Sequence, residues 1–144
     1  MQKITNDLDI VQLIYFSRAA NFRNSIEFDR DVRDILDHSR AYNRLHKITS
    51  ALMTDGEMFA HVVEGPAIAV ENLYFKIIHD ERHANIITLQ SISVHVRLFS
   101  FWPIAFIRVK NIRYIRTLNV QSSLAELRKA SVLILKAFRP VLLR

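Results

Sequence analysis

The sequence carries its clearest structural signal at residues 48–64, which read ITSALMTDGEMFAHVVE. Two apolar runs, 48–54 and 57–64, flank the dipeptide Asp55-Gly56. Asp-Gly between two such runs favours a two-residue β-hairpin turn of type I′, because both central residues of that turn need a positive φ. We therefore predict two antiparallel strands joined at this dipeptide.

A strand and a helix are predicted before the hairpin. Residues 10–17 form a short apolar run rich in β-branched and aromatic types, which is typical of a buried central strand. Residues 18–28 are predicted to form a loop. Residues 29–46 are predicted to form a helix, since five side chains recur there at helical spacing on one face: Val32, Ile35, Leu36, Ser39 and Asn43.

A second helix and two more strands are predicted after the hairpin. Gly65-Pro66 ends the strand and places a proline near the first position of a helix. The inward stripe of that helix is expected to be Val70, Leu73, Tyr74, Ile77 and Ile78. Strands are predicted at 85–97 and 101–109. Pro103 lacks an N–H, so the second of these strands should lie at an edge or contain a bend.

The last segment predicts one more helix, over residues 124–138. Ser123 and Glu126 have the spacing of a capping box at its start. The residues expected to face inward are Leu124, Leu127, Val132, Leu135 and Phe138.

The order of these elements predicts an α+β fold. It is a ferredoxin-like βαββαββ sheet with two helices on one face, and the additional C-terminal helix covers part of the other face. The first β-α-β unit requires a right-handed crossover. The chain shows no internal repeat and no linker, so we expect one domain over 1–144. Its core spans about 10–109, and a basic segment with the last helix spans 110–144.

Composition excludes several classes of protein. The 144 residues contain no cysteine, which excludes a disulfide scaffold, a thiol nucleophile and a cysteine-ligated metal. No apolar run reaches 18 residues and the start has no apolar secretory region, so we expect no membrane span and a cytoplasmic location. No phosphate-binding glycine loop, nucleophile elbow or carboxylate pair is present, so we do not expect an enzyme.

Charge is distributed unevenly along the chain. Residues 1–107 contain 11 lysines and arginines and 13 acidic residues. Residues 108–144 contain nine lysines and arginines and a single acidic residue, Glu126. A basic segment on a near-neutral body indicates contact with an anionic partner, although a solvated basic helix face is the simpler interpretation. Nucleic acid is the weaker of the possible partners. Its sequence support is the basic segment itself and the interleaving of charge with one aromatic in Arg108, Lys110, Arg113, Tyr114 and Arg116.

Histidines raise the question of a metal site. His79 and His83 lie four residues apart, as a pair of metal ligands on a helix would. The predicted helix ends there, and no glutamate follows the first histidine in the way a zinc protease requires. We therefore expect no metal.

Five short stretches, in order, carry a resemblance to a known family. They are LIYFS at 13–17, SRAYN at 39–43, FAHVVEG at 59–65, DERH at 80–83 and RLFSFW at 97–102. Together they resemble the BLUF family, small domains that sense blue light with a bound flavin. The resemblance implies FAD as the cofactor, held in a groove between the two helices on one face of the sheet.

Three residues carry the family's chemistry. Asn43 falls on the flavin-binding asparagine, and its place on an apolar helix stripe already requires a polar partner or a role as a local cap. Tyr15 falls on the photoactive tyrosine, which gives an electron and a proton toward the excited flavin. His61 replaces the glutamine whose light-driven rearrangement is the family's switch. A neutral imidazole also has one donor and one acceptor, but they are spaced differently from those of an amide.

The resemblance also implies the wider set of site residues. The photoactive or switch positions are Tyr15, His61, Trp102 and Ile104. The cofactor-binding positions are Tyr15, Tyr42, Asn43, His61, Lys76, Asp80, Arg82 and His83. The chain departs from the family pattern at several of these and at neighbouring positions, namely Tyr42, Ser50, His61, Lys76, Pro103 and Ile104.

Two functions follow from this pattern. The first is an FAD-binding blue-light photoreceptor that signals through protein–protein contacts of its last helix and exposed sheet face. We expect its photocycle to be altered or lost, because His61 prevents the usual rearrangement. The second is a non-photoactive BLUF-fold module that binds an anionic partner through the basic C-terminal segment. The partner in either case could be another protein or a second copy, giving a homo-oligomer.

Overall fold

Five strands form one mixed sheet in the part of the chain that the structure describes. The structure is a computed structural model that describes residues 10–142, apart from the side chains of residues 113 and 114. Its elements, in chain order, are β1 Ile10–Ala19, α1 Ser25–Leu45, β2 Thr49–Thr54, β3 Met58–Pro66, α2 Ala67–Ile78, β4 His83–Val94, β5 Ala105–Arg108, α3 Arg113–Arg116, α4 Leu124–Ala137 and α5 Arg139–Leu142. The strand order is β4-β1-β3-β2-β5. The predicted α+β, ferredoxin-like architecture is confirmed.

Both faces of the sheet are covered by helices. α1 packs on one face through Phe28, Val32 and Leu36, and α2 packs beside it through Val70. The second face is covered by α3, α4 and α5, whose buried residues join those of the strands in the largest apolar cluster. β5 pairs in parallel with β2 at the edge of the sheet, as the proline at position 103 predicted.

The first helix begins four residues earlier than its apolar stripe indicated. The side chain of Asn24 accepts a hydrogen bond from the N–H of Glu27 at 3.1 Å and caps the helix there. β1 correspondingly runs on to Ala19, so the predicted loop at 18–28 is reduced to 20–24.

The hairpin between β2 and β3 is present, but its turn is not of type I′. Gly56 has a φ of +93°, whereas Asp55 keeps a negative φ. The carboxylate of Asp55 instead accepts hydrogen bonds from the N–H groups of Glu57 and Met58, at 3.0 and 2.8 Å. A longer turn closed by an aspartate side chain therefore replaces the two-residue turn.

The predicted strands at 85–97 and 101–109 are both too long. β4 ends at Val94, and residues 95–104 form an irregular connection to the four-residue β5. The buried carboxylate of Glu64 accepts the N–H groups of Leu98 and Phe99 at 2.8 and 2.9 Å, so these backbone donors bond to a side chain rather than to a strand.

The last helix has its predicted start but a different inward face. The capping box of Ser123 and Glu126 is complete. Ala130, Ile134 and Phe138 are buried, which sets a stripe at spacings of four. The prediction was wrong for two residues that lie off this stripe and are exposed, Leu124 and Val132. The prediction was also wrong for Ile78 at the end of α2, which was expected to face inward and is 45% exposed.

Candidate functional site

A groove opens between α1 and α2 above the sheet, with a volume of about 150 Å³. All eight residues that the resemblance assigned to the cofactor line it: Tyr15, Tyr42, Asn43, His61, Lys76, Asp80, Arg82 and His83. They come from β1, both helices, β3 and the segment that enters β4. The fold thus brings together residues that are up to 68 positions apart in the sequence.

Tyr15 and His61 face each other across the centre of the sheet. They are directly paired in the antiparallel register of β1 and β3, and each is only 4% exposed. The hydroxyl of Tyr15 lies 2.8 Å from Nδ1 of His61, and the two rings meet edge to face at 5.4 Å. The pairing follows from the period of two in each strand, which directs both side chains to the same face.

Burial keeps both groups of this pair neutral. Removal from water lowers the pKa of His61 to about 3, and repulsion from His83 acts in the same direction. Burial, together with nearby Tyr74 and Asp80, raises the pKa of the Tyr15 phenol above its ordinary value. At neutral pH the imidazole therefore has one N–H donor and one acceptor nitrogen.

The neutral pair has two possible proton arrangements. When the hydroxyl of Tyr15 donates to Nδ1, Nε2 of His61 carries the proton and is a donor. When Nδ1 carries the proton and donates to the phenol oxygen, Nε2 is an acceptor. The role that His61 offers at its other nitrogen is therefore set by the position of the proton in the bond with Tyr15.

Two buried polar atoms on the groove residues have no hydrogen-bond partner within the described part of the chain. They are Nε2 of His61 and Oδ1 of Asn43. Because such atoms cost roughly 1–3 kcal/mol each when they stay unsatisfied, they favour a ligand with matching polar groups. A flavin ring edge has both amide-like donors and acceptors, so the residues present fit that group.

Asn43 is not the local helix cap that its position also allowed. Its Nδ2 donates to the carbonyl oxygen of Pro103 at 2.8 Å, across the sheet edge. Ser50, which stands where the family has a glycine, donates its hydroxyl to the same carbonyl at 2.8 Å. Asn43 therefore connects the groove with the irregular segment before β5.

Lys76 and Tyr42 form the rim of the groove. Nζ of Lys76 lies 5.5 Å from the centre of the Tyr42 ring, which itself stacks on His46 at 4.0 Å. Among the described residues, no carboxylate lies within ion-pair distance of Lys76. Its charge is thus available to a carbonyl or phosphate oxygen of a ligand.

The end wall of the groove is formed by Asp80, Arg82 and His83. Arg82 holds the Asp80 carboxylate through Nε at 2.9 Å and Nη2 at 2.6 Å. Burial alone would raise the pKa of Asp80, but the hydrogen bonds and charge of Arg82 outweigh it and lower that pKa. The ring of His83 lies 2.6 Å through Nε2 from the carbonyl of Ile77 and 2.7 Å through Nδ1 from the hydroxyl of Ser17.

His83 has no ring nitrogen free to bind a ligand. Both of its nitrogens are occupied within the protein, so it shapes the groove and repels a proton from His61. We infer that it positions the site rather than offering a free polar atom to a ligand.

The structure does not bring Trp102 and Ile104 into the groove. Ile104 is 5% exposed and packs in the cluster that contains Leu52 and Phe59, one layer from the groove. Trp102 is 39% exposed and lines a second groove beside β5. Only its backbone reaches toward the sheet, where its carbonyl accepts the N–H of Ser50 at 3.0 Å.

Seven residues beyond the eight assigned positions also line the groove, and two of them, Leu52 and His38, belonged to no predicted helix stripe or family motif. Leu52 lies directly opposite His61 in the register of β2 and β3, so alternation along β2 would have placed it on this face. His38 lies at the exposed rim of α1 beside the apolar stripe, and no pattern distinguishes it from other surface positions.

Two further site classes receive no support from residues 10–142. No group of three or more histidine or acidic side chains in that range is arranged to hold a metal ion. No helix in the same range combines the length and the apolar character needed to cross a bilayer.

The fold agrees with comparisons to known proteins. A family model described as "Sensors of blue-light using FAD" matches residues 10–105. The photo-activated state of BlsA superposes with a TM-score of 0.68 at 29% identity, covering 84% of this chain and 91% of that chain. The dark-state structure of BlrB, a BLUF protein, superposes with a TM-score of 0.65 at 26% identity, covering 85% and 94%. The chain therefore belongs to the BLUF family of flavin-binding blue-light sensors.

Curated relatives also match a large part of the chain. The beta subunit of the photoactivated adenylate cyclase of Euglena gracilis is 29% identical over 101 residues, which are 69% of this chain. The alpha subunit from the same organism is 29% identical over 90 residues, or 62% of the chain. The aligned stretch spans only 11% of the beta subunit and 8% of the alpha subunit.

Proposed function

We propose that this chain binds FAD in the groove between α1 and α2 and senses blue light with His61 in place of the usual glutamine. The observation that carries the proposal is the pair of buried, unpartnered atoms, Oδ1 of Asn43 and Nε2 of His61, on the walls of one groove. A bound flavin supplies the absorption of blue light and the acceptor for an electron. The polar atoms of this chain supply its orientation and a nearby proton.

Three side chains are suited to hold the ring and its substituents. Oδ1 of Asn43 can accept from a ring N–H, because Nδ2 is already committed to Pro103. Nε2 of His61 can serve one ring atom, and Lys76 can serve a carbonyl oxygen at the rim. Tyr15 holds His61 at Nδ1 and thereby fixes the plane of the imidazole.

This arrangement predicts an altered photocycle. An amide can rotate and exchange its donor and acceptor, and it can span two neighbouring ring atoms. The imidazole of His61 is held by Tyr15 at one nitrogen, so only a single nitrogen remains for the cofactor. A light response must then come from the proton position in the Tyr15–His61 bond rather than from side-chain rotation.

The test compares absorption spectra in the dark and after blue light for the flavin-loaded wild type, His61→Gln and Tyr15→Phe. We expect flavin binding in all three, a reduced but measurable reversible red shift in the wild type, and a larger reversible shift in His61→Gln. Tyr15→Phe should have none, because the proton donor is removed. A full family-like red shift in the wild type that His61→Gln leaves unchanged would refute a special role for His61.

We further propose that the signal leaves through protein contacts, along two short paths. Asn43 connects the groove to Pro103 in the irregular segment before β5. The hairpin that leads into β3 binds the C-terminal region, since Asp55 accepts both the N–H of Ile112 at 2.9 Å and Arg116 at 2.8 Å. Cross-linking of the C-terminal helices to the sheet in dark and light tests this, and identical yields would contradict it.

The alternative function is a non-photoactive module that binds an anionic partner through the basic segment. The charge of residues 108–144 favours it. However, Arg108 and Arg116 are already paired with acidic side chains of the domain, at 3.2 and 2.7–2.8 Å. Failure to bind FAD, FMN or riboflavin in a titration would favour this alternative. A single domain over 1–144, a cytoplasmic location and a homo-oligomeric state likewise stay proposals, which chromatography and localisation would check.

A further inference from the structure

We propose that a groove along the free edge of β5 binds an extended acidic segment of a partner protein, which adds a strand to the sheet. This β5 groove has a volume of about 510 Å³ and lies apart from the cofactor groove. It is lined by Arg40, Arg44, Phe101, Trp102, Pro103, Ile104, Ala105, Phe106, Ile107 and Val141. The inference does not require that flavin be bound.

The lining residues show that the β5 groove runs parallel to the backbone of β5. Residues 101–107 are consecutive and belong to β5 and the segment that leads into it. β2 occupies one side of β5, and no strand occupies the other side within residues 10–142. Such an edge offers hydrogen-bonding groups to an added strand.

The register identifies which main-chain groups are free. The N–H of Val109 donates to the carbonyl of Thr54 on β2 at 2.9 Å. Backbone groups alternate in direction along a strand, so those of Phe106 and Arg108 turn away from β2. The outer edge of β5 therefore presents the N–H and C=O of Phe106 toward the groove.

The walls determine the chemistry of the occupant. Arg40 and Arg44 stand one turn apart on α1 and are both exposed, and none of the lining residues is acidic. Arg40 has only an exposed contact with Asp37 at 3.2 Å, which is a weak interaction. These guanidinium groups favour carboxylates on one side of an extended peptide.

Exposed aromatic residues at the entrance favour a peptide over a nucleic acid. Phe101 is 88% exposed and Trp102 is 39% exposed. Phe, Trp and Arg are all enriched at protein–protein interfaces, and Trp and Arg are enriched at their binding hot spots. Apolar side chains alternating with acidic ones would place one set on the aromatic and apolar wall and the other set toward the arginines.

The experiment measures binding of a defined probe by calorimetry. The probe is a blocked octapeptide of alternating glutamate and leucine, and its control has glutamine in place of every glutamate. The variant Arg40→Glu/Arg44→Glu removes the basic wall. The matched control, Arg128→Glu/Lys129→Glu, makes the same charge change at two exposed positions of α4. Trp102 is the only tryptophan in the chain, so its fluorescence reports whether binding occurs at this groove.

We expect the acidic peptide to bind the wild type and shift the emission of Trp102. Binding should weaken about tenfold or more for the glutamine peptide and for the Arg40/Arg44 variant, and by less than about twofold for the α4 control. A second pair of variants tests the main-chain contact. Phe106→Pro removes the outward N–H and should weaken binding beyond Phe106→Ala, which removes only the side chain.

Several results would overturn the proposal. Absence of binding by the wild type at millimolar peptide would do so, as would equal weakening by the α4 control, which would indicate general charge attraction. Tighter binding of an oligonucleotide of equal charge would point to a nucleic acid. A dimer that dissociates in the Arg40/Arg44 variant would show that a second copy occupies the groove.

Discussion

Replacement of Asp55 by asparagine tests how the hairpin holds the C-terminal region. The side chain of Asp55 is fully buried and accepts four hydrogen bonds. Oδ1 accepts from Glu57 and Met58 in the turn, and Oδ2 accepts from Ile112 and Arg116. An asparagine keeps the first two contacts but turns an NH₂ group toward the second pair of donors.

The cost follows from those two lost contacts. One lost bond involves a backbone N–H and the other a charged guanidinium, which together are worth about 2–4 kcal/mol. Asp55→Asn should therefore lower the free energy of unfolding by that amount at pH 7. Urea denaturation measures it, with Asp37→Asn as the control, because Asp37 is 79% exposed and has only a surface contact.

The same variant has a predictable pH dependence. Burial raises the pKa of Asp55, but the four hydrogen bonds outweigh it, so the pKa is lowered from 3.8 in the folded protein. A lowered carboxyl pKa stabilises the fold at pH above the unfolded value, and this contribution is lost as the pH falls through the folded pKa. The difference between wild type and Asp55→Asn should shrink below about pH 4. A difference under about 0.5 kcal/mol at pH 7, or one that does not shrink in acid, would refute the reasoning.

Three further predictions concern the groove and the connection to β5. His61→Gln should gain stability relative to the wild type as the pH falls below 6.5, because the folded protein holds the imidazole neutral with a pKa of about 3 whereas the unfolded chain takes up a proton. Equal slopes of the free energy of unfolding against pH in the two proteins would argue against a buried neutral imidazole. Asn43→Ala should weaken flavin binding about tenfold in a fluorescence titration, and unchanged affinity would remove Asn43 from the site. Glu64→Gln should lower the free energy of unfolding by about 1–3 kcal/mol in urea denaturation, because the carboxylate accepts hydrogen bonds from Leu98, Phe99 and Gln12. An unchanged free energy of unfolding would show that residues 95–104 are held by other contacts.

Most of the secondary-structure elements could be predicted from the sequence, because each of them has a hydrophobic periodicity or a capping motif of its own. The strand at 10–17, the hairpin, both helices and the capping box all have local signals. The over-long prediction for the strand at 85–97 arises where a side chain from a distant element satisfies the backbone. Glu64 ends β4 early by binding Leu98 and Phe99, and the sequence gives no sign that this glutamate would be buried.

The composition of the site could be predicted from the family resemblance, but its contacts could not. The eight cofactor positions came from the family resemblance, and the structure places all of them on one groove. The contact between Tyr15 and Nδ1 of His61 depends on the register between two strands, which periodicity alone does not determine. The engagement of both nitrogens of His83, and the exposed position of Trp102, arise from tertiary packing and were not predictable.

The most direct test of the central claim is the light-minus-dark absorption spectrum of the flavin-loaded protein, recorded side by side for the wild type and His61→Gln. The Tyr15–His61 bond leaves one nitrogen for the cofactor, so we expect flavin bands in both proteins and a reversible red shift that is larger in His61→Gln. An equal, family-like shift in the two proteins would contradict it.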